Sequence, residues 1–237
     1  MKKLLIILFF FQLIIQKTFS QSSYIGGVFP TIDHSGTFNK KLEYGLYYFG
    51  AFPLINIKKP DLSKDSYFHL LYLEQAFTYN QTDNLSFTGS YLYQRANVVN
   101  SNYVNENRIY LQAKYKHQLK NFKLTHRFRF DARFVQNRIT NKSPFTSRIR
   151  YLVGLEKNIS EKYYFNGYQE FFFSTVKNAD PIYNENWAYL GFGKKVNEKN
   201  KIELGLLNVT WNTGNKNWFN QYYLQFTWIN HINFIKN

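Results

Sequence analysis

The sequence predicts an all-β protein: an antiparallel transmembrane β-barrel of about ten strands, with about twelve as the alternative count, behind a cleaved signal peptide. Three observations carry this. The chain opens with an export signal. Its clearest patterned stretch alternates charged and greasy residues in two opposite phases. One residue in five is aromatic, from 24 Phe, 20 Tyr and 4 Trp. Aromatic girdles at two membrane interfaces use such an excess.

The first element is the signal. Met1-Lys2-Lys3 forms a positive start, and Leu4 to Ile15 is apolar apart from Gln12. Small Ser20 then precedes Gln21. The apolar run falls short of the ~20 residues that a spanning helix needs. Cleavage after Ser20 is expected, so residues 1–20 are a signal peptide and residues 21–237 a single barrel domain. The net charge of +15 falls to +12 when Lys2, Lys3 and Lys17 leave. Cysteine is absent, which excludes disulfides and thiolate metal sites.

Period-2 patterning places strands at 41–54, 66–79, 84–97, 105–119, 122–136, 145–158, 162–176, 184–196, 200–212 and 217–230. Residues 24–32 read as an additional short extended piece, in the periplasm or lumen or in a larger barrel. Short polar connections at 80–83, 120–121, 159–161 and 197–199 alternate with longer ones at 55–65, 97–104, 137–144, 177–183 and 213–216. Alternation of short turns with long loops belongs to outer-membrane barrels. The glycines at 89, 154, 167, 191, 193 and 205 read as sheet-bending positions.

The hairpin around Lys120-Asn121 is the most informative element. Arg108, Tyr110, Gln112, Lys114 and Lys116 alternate with Ile109, Leu111, Ala113 and Tyr115. After the turn, Lys123, Thr125, Arg127, Arg129, Asp131 and Arg133 alternate with Phe122, Leu124, Phe128, Phe130, Ala132 and Phe134. A two-residue turn puts 108 opposite 133, 110 opposite 131, 112 opposite 129 and 114 opposite 127, so both strands agree in face. In an exported barrel the greasy face meets lipid and the charged face lines the lumen.

Asn107-Arg108-Ile109-Tyr110, the run Lys123 to Phe134, Ser147-Arg148-Ile149-Arg150-Tyr151, Tyr168-Gln169-Glu170-Phe171-Phe172 and Tyr189-Leu190-Gly191-Phe192-Gly193 together resemble the DUF2490 family over roughly 40–230. The resemblance implies an outer-membrane barrel of the kind common in Bacteroidetes. It brings no enzymatic activity to carry over and leaves the function open. It departs at Trp187, where the family often has arginine.

The candidate site is a basic lumen wall of Arg108, Lys114, Lys116, Arg127, Arg129, Arg133, Arg148 and Arg150. The acids on inward parity are Glu43, Glu74, Asp131, Glu156, Glu170 and Glu203. Eight bases against Asp131 and Glu156 on the same three strands leave a formal +6, so small anions are the expected lumen solutes. A three-residue turn at 159–161 predicts Arg150 opposite Glu170, and Lys195 is expected near Glu203. The alternative is a structural ion-pair network in a filled lumen, which a barrel of about ten strands favours on size.

Catalysis has little support. His34, His69, His117, His126 and His231 make no metal-binding spacing, no site residue is catalytic, and no cofactor or metal is expected. Arg and Phe sit on opposite strand faces, which argues against nucleic acid. The reading is a non-enzymatic outer-membrane barrel, structural, binding or passing small anionic solutes, with outer-membrane lipids as partners. A lipid-modifying outer-membrane enzyme and a soluble periplasmic β-barrel binder stay open as alternatives.

Overall fold

The computed structural model describes residues 24–57, 68–176, 182–212 and 218–234. The signal segment 1–20 lies outside them, as do most of the 55–65 and 177–183 connections and all of the 213–216 connection. Eleven strands follow one another: β1 (Tyr24–Thr37), β2 (Leu42–Ile57), β3 (Leu70–Asn80), β4 (Leu85–Ala96), β5 (Val104–Leu119), β6 (Phe122–Val135), β7 (Phe145–Asn158), β8 (Tyr163–Ser174), β9 (Tyr183–Lys195), β10 (Asn200–Asn212) and β11 (Trp218–Asn233). They close into one barrel in sequence order. Every neighbouring pair is antiparallel except β1 and β11, which run parallel.

Eleven strands fall between the expected ten and twelve. The piece at 24–32 is a full wall strand, reaching Thr37. Its pattern was weak because Gly26, Gly27, Pro30 and Gly36 dilute the alternation. Proline also argues against a central strand, since it lacks the ladder N–H. The ladder accommodates this: Phe29 and Pro30 have no register partners on β2, and the pairing shifts at Gly26/Gly27. An odd number of alternating strands makes the first and last parallel. The start of β1 and the end of β11 therefore sit at opposite mouths.

Side chains hold the closing seam. His34 bonds Asn230 at 2.7 Å and Tyr44 at 2.7 Å, while His231 bonds Ser35 at 2.9 Å and Thr37 at 3.0 Å. His34 with Asn230, and Ser35 with His231, are also direct register partners. Short turns are fastened from within. Asn39 Oδ1 accepts the backbone N–H groups of Lys41 and Leu42, and Asn197 Oδ1 those of Lys199 and Asn200.

Alternation sends the two residue classes apart. Phe77, Phe87, Leu111, Phe128, Phe130, Leu204, Leu206 and Phe226 are exposed on the outside. The buried residues point inward, so the core of this protein is the barrel lumen.

Candidate functional site in the barrel lumen

The β5–β6 hairpin turns tightly, with Lys120 at a positive φ of 56°. Its register pairs Arg108 with Arg133, Tyr110 with Asp131, Gln112 with Arg129 and Lys114 with Arg127, as the two-residue turn predicts. On the next ladder Arg129 stands opposite Arg150 and Asp131 opposite Arg148. Like charges directly opposite are unfavourable unless something bridges them.

Carboxylates bridge most of them. Glu106 accepts from Arg108 Nε at 2.8 Å and from Arg133 Nε and Nη2 at 2.7 and 2.8 Å. Asp131 takes Arg148 at 2.8 Å, with Arg108 at 3.5 Å and Arg150 at 3.7 Å. Glu170 accepts from Arg150 Nε and Nη2 at 2.8 and 2.9 Å and from Arg127 at 2.6 Å. Glu185 holds Arg148 at 2.8 Å. Glu74 accepts the hydroxyls of Tyr72 and Tyr110 at 2.6 and 2.5 Å and faces Arg129 at 3.8 Å. Arg108, Glu106, Asp131 and Glu170 are each at most 3% exposed. Charge-assisted hydrogen bonds compensate most of the cost of holding these ions in the low-dielectric interior, although Asp131 Oδ1 and Arg127 Nε are buried without a hydrogen-bond partner.

Aromatic rings fill the other half of the lumen. Tyr72, Phe49 and Phe29 stack in series, with centroids 4.2 and 4.4 Å apart. Trp187 of β9 meets Phe29 of β1 at 6.2 Å and Phe49 of β2 at 6.3 Å, reaching across the barrel. Phe172 lies 5.9 Å from Trp187 and carries the guanidinium groups of Arg150 and Arg148 at 4.4 and 4.7 Å. Ionic and aromatic halves thus face each other inside the barrel. A cavity of about 860 Å³ remains, running from Ser35, Glu43 and Lys116 toward the short-turn mouth to Gln94 and Asn212 at the other.

The family model described as "Protein of unknown function (DUF2490)" matches residues 61–220, more than half of the chain. This chain belongs to the DUF2490 family. No curated protein matches it. Among solved structures it is similar to an anion-selective porin from Comamonas acidovorans, at 11% identity and a TM-score of 0.36, over 80% of this chain and 55% of the porin. The chain thus spans about half of that porin's length.

In this DUF2490 protein all eight expected wall residues line the cavity, from Arg108 to Arg150. Glu106 lowers the formal charge of that three-strand wall from the expected +6 to +5 (eight bases less Glu106, Asp131 and Glu156), and Glu74, Glu170 and Glu185 of other strands pair with its arginines. Glu106, on the same parity as Arg108, escaped the sequence reading although its even number announced it. Glu185 escaped because its partner Arg148 lies two strands away. Glu43 is held by Asn80 at 2.7 Å. Glu156 sits beside Lys116 and Lys123 and makes no ion pair among the described residues.

Two predicted pairings need correction. Arg150 lies opposite Phe172, and Glu170 opposite Leu152. Five residues separate the paired Asn158 and Tyr164, not three, so the register slides by two. A two-residue slide preserves the face, and the long Arg150 side chain still reaches Glu170 diagonally. Lys195, in contrast, is not a partner of Glu203, which stands opposite Gly193. The hydroxyls of Tyr164 and Tyr189 hold Glu203 at 2.7 and 3.3 Å.

The same corner revises the glycines. A Cβ on Gly193 would fall 2.2 Å from the Tyr164 ring, and one on Gly205 would fall 2.5 Å from the Leu190 carbonyl oxygen. These two glycines make room for tyrosines that lie against the wall. His126, on the outer face, bonds the Tyr151 hydroxyl at 2.9 Å and stacks on His117. Hydroxyls occupy both ring nitrogens of His231, so no carboxylate orients it as a base for Ser35. Among the described residues no group of three His, Asp or Glu side chains could hold a metal ion.

Proposed function

We propose that this protein is a non-enzymatic outer-membrane β-barrel of a Gram-negative bacterium, exported by residues 1–20 and matured at Gln21. Its lumen is a side-chain-filled, ion-paired core with a ligand-sized cavity, and not a wide pore. The observation that carries the reading is the waist, where Trp187 reaches Phe29 and Phe49 across the barrel while arginine–carboxylate pairs occupy the facing half. Ligand cavities run from about 300 to 1,000 Å³, and the residual 860 Å³ falls in that range. The exposed apolar belt, with Phe128, Phe130, Leu204 and Phe226, suits contact with membrane lipid.

The mature protein, refolded and inserted in planar bilayers, tests this. Absence of stepwise conductance supports a closed waist, and steady wide-pore currents overturn it. Sequencing the N-terminus of protein from isolated outer membranes checks the location and the cut together. Retention of Leu4 to Ile15 would make that segment an anchor. A second reading, binding or slow passage of small anions, is favoured by Lys114 and Lys116, which line the cavity outside the ion-paired network.

A further inference from the structure

We propose that Lys114, Lys116 and Arg127 form a binding subsite for a small oxyanion, a phosphate or carboxylate group, in the half of the lumen nearer the short turns. This inference deepens the small-anion reading above and rests on it.

The barrel supplies its own comparison. Three like-charged pairs stand directly opposite one another on the β5–β6–β7 wall: Arg108 with Arg133, Arg129 with Arg150, and Lys114 with Arg127. Glu106 bridges the first pair, contacting both guanidinium groups at 2.6–2.7 Å. The second is neutralised by Glu74 on Arg129 and by Glu170 and Asp131 on Arg150. The third has no bridge. Arg127 gives one nitrogen to Glu170 at 2.6 Å, while its Nε is buried without a hydrogen-bond partner. Among the described residues no carboxylate comes within ion-pair distance of Lys114 or Lys116. Asp33 and Glu43 line the same cavity but make no ion pair with them.

Cations opposed at one register position repel, and elsewhere on this wall a carboxylate resolves the repulsion. The opposed cations of the third pair lack that bridging group and face open cavity. An oxyanion there would do for Lys114 and Arg127 what Glu106 does for Arg108 and Arg133. Thr78 and Thr88, on the neighbouring strands β3 and β4, line the same cavity and share one hydroxyl–hydroxyl hydrogen bond of 2.9 Å, which leaves one of their two protons for a remaining oxygen.

Lys116→Glu supplies the test's sharpest variant. Glu106 acts from two residues before Arg108 on β5, and Lys116→Glu would place a carboxylate two residues after Lys114. Isothermal titration of the refolded mature protein uses inorganic phosphate, and separately acetate, at constant ionic strength with chloride. One saturable site per chain is expected, weakened at least tenfold by Lys114→Met and lost in Lys116→Glu. Lys157→Met, on the outer face, leaves binding unchanged. Tighter acetate than phosphate assigns the natural group as carboxylate, and the reverse as phosphate.

Gel migration of unboiled samples verifies that each variant is folded. In phosphate-free buffer, Lys114→Met should melt no lower than the parent, because it relieves repulsion. No saturable binding of either anion, or binding indifferent to both lumen variants, overturns the subsite and leaves the closed waist standing. Wide-pore conductance with binding intact overturns the closed waist and leaves the subsite.

Discussion

Neutralising one carboxylate, by Glu106→Gln, should expose what the ionic half of the lumen contributes. Glu106 is 3% exposed and bridges Arg108, itself 2% exposed, to Arg133. The amide keeps the shape and removes the charge. Two guanidinium groups then oppose each other across one register position. At an effective dielectric of about 20, each carboxylate–guanidinium attraction near 4 Å is worth about 4 kcal/mol. Desolvating the carboxylate offsets several kcal/mol of the two attractions, and breaking such a buried pair costs ~3–5 kcal/mol overall. Arg133 is 24% exposed, so lumen water screens its share and the lower end, about 3 kcal/mol, is the expected loss. Urea unfolding of the protein in lipid vesicles, followed by tryptophan fluorescence, reads it. Glu156→Gln, lacking an ion pair, should cost less than ~0.5 kcal/mol in the same assay. A loss below ~1 kcal/mol for Glu106→Gln would show that the bridge adds little and that lumen water already solvates the arginines.

A double-mutant cycle on Arg150→Met and Glu170→Gln should give a coupling of ~1–3 kcal/mol, whereas Lys195→Met with Glu203→Gln should be additive; additivity in the first would contradict the Arg150–Glu170 ion pair, and coupling in the second the register of β9 with β10. Phe130→Arg on the outer face should cost ~2–4 kcal/mol if it lies near the bilayer midplane, and Thr125→Arg on the lumen face far less. Equal costs at the two positions would contradict a lipid-facing belt. Gly205→Ala drives a methyl into the Leu190 carbonyl and the Tyr189 ring and should lower stability by ~1–3 kcal/mol, seen as a drop in the thermal midpoint. An unchanged midpoint would mean that the β9–β10 wall yields freely there.

Much of this barrel is written locally. Alternation from Arg108 to Phe134 names the two faces of β5 and β6, and the short Lys120-Asn121 turn sets their register, because a two-residue hairpin leaves one pairing that keeps both faces in phase. The lumen parity of all eight basic residues was legible because a period of two needs only neighbouring residues. The extended piece at 24–32 was legible, but not that it is a wall strand reaching Thr37. β1 has glycines and a proline where a pattern would show, and its wall position depends on β11, nearly two hundred residues away in the chain. The Arg150 register hung on how many residues the 158–164 turn consumes, which polar composition leaves open.

The electrostatic character of the lumen is likewise a tertiary property. Sequence parity could place eight bases and several acids inside, but it could not say which would touch. Glu74 meets Arg129 from three strands away, Arg148 finds Glu185 two strands on, and Glu203 is taken by tyrosine hydroxyls and not by Lys195. Closure of the sheet into a barrel of this diameter brings those side chains together, carries Trp187 across to Phe29 and Phe49, and leaves Lys114 facing Arg127 without a carboxylate between them. The sequence by itself determined the all-β pattern, the two faces and the local turns, since these follow from residue spacing along one or two strands. Only the tertiary structure decided strand number, ion-pair identity and the narrowed lumen, since these depend on how distant strands meet when the wall closes.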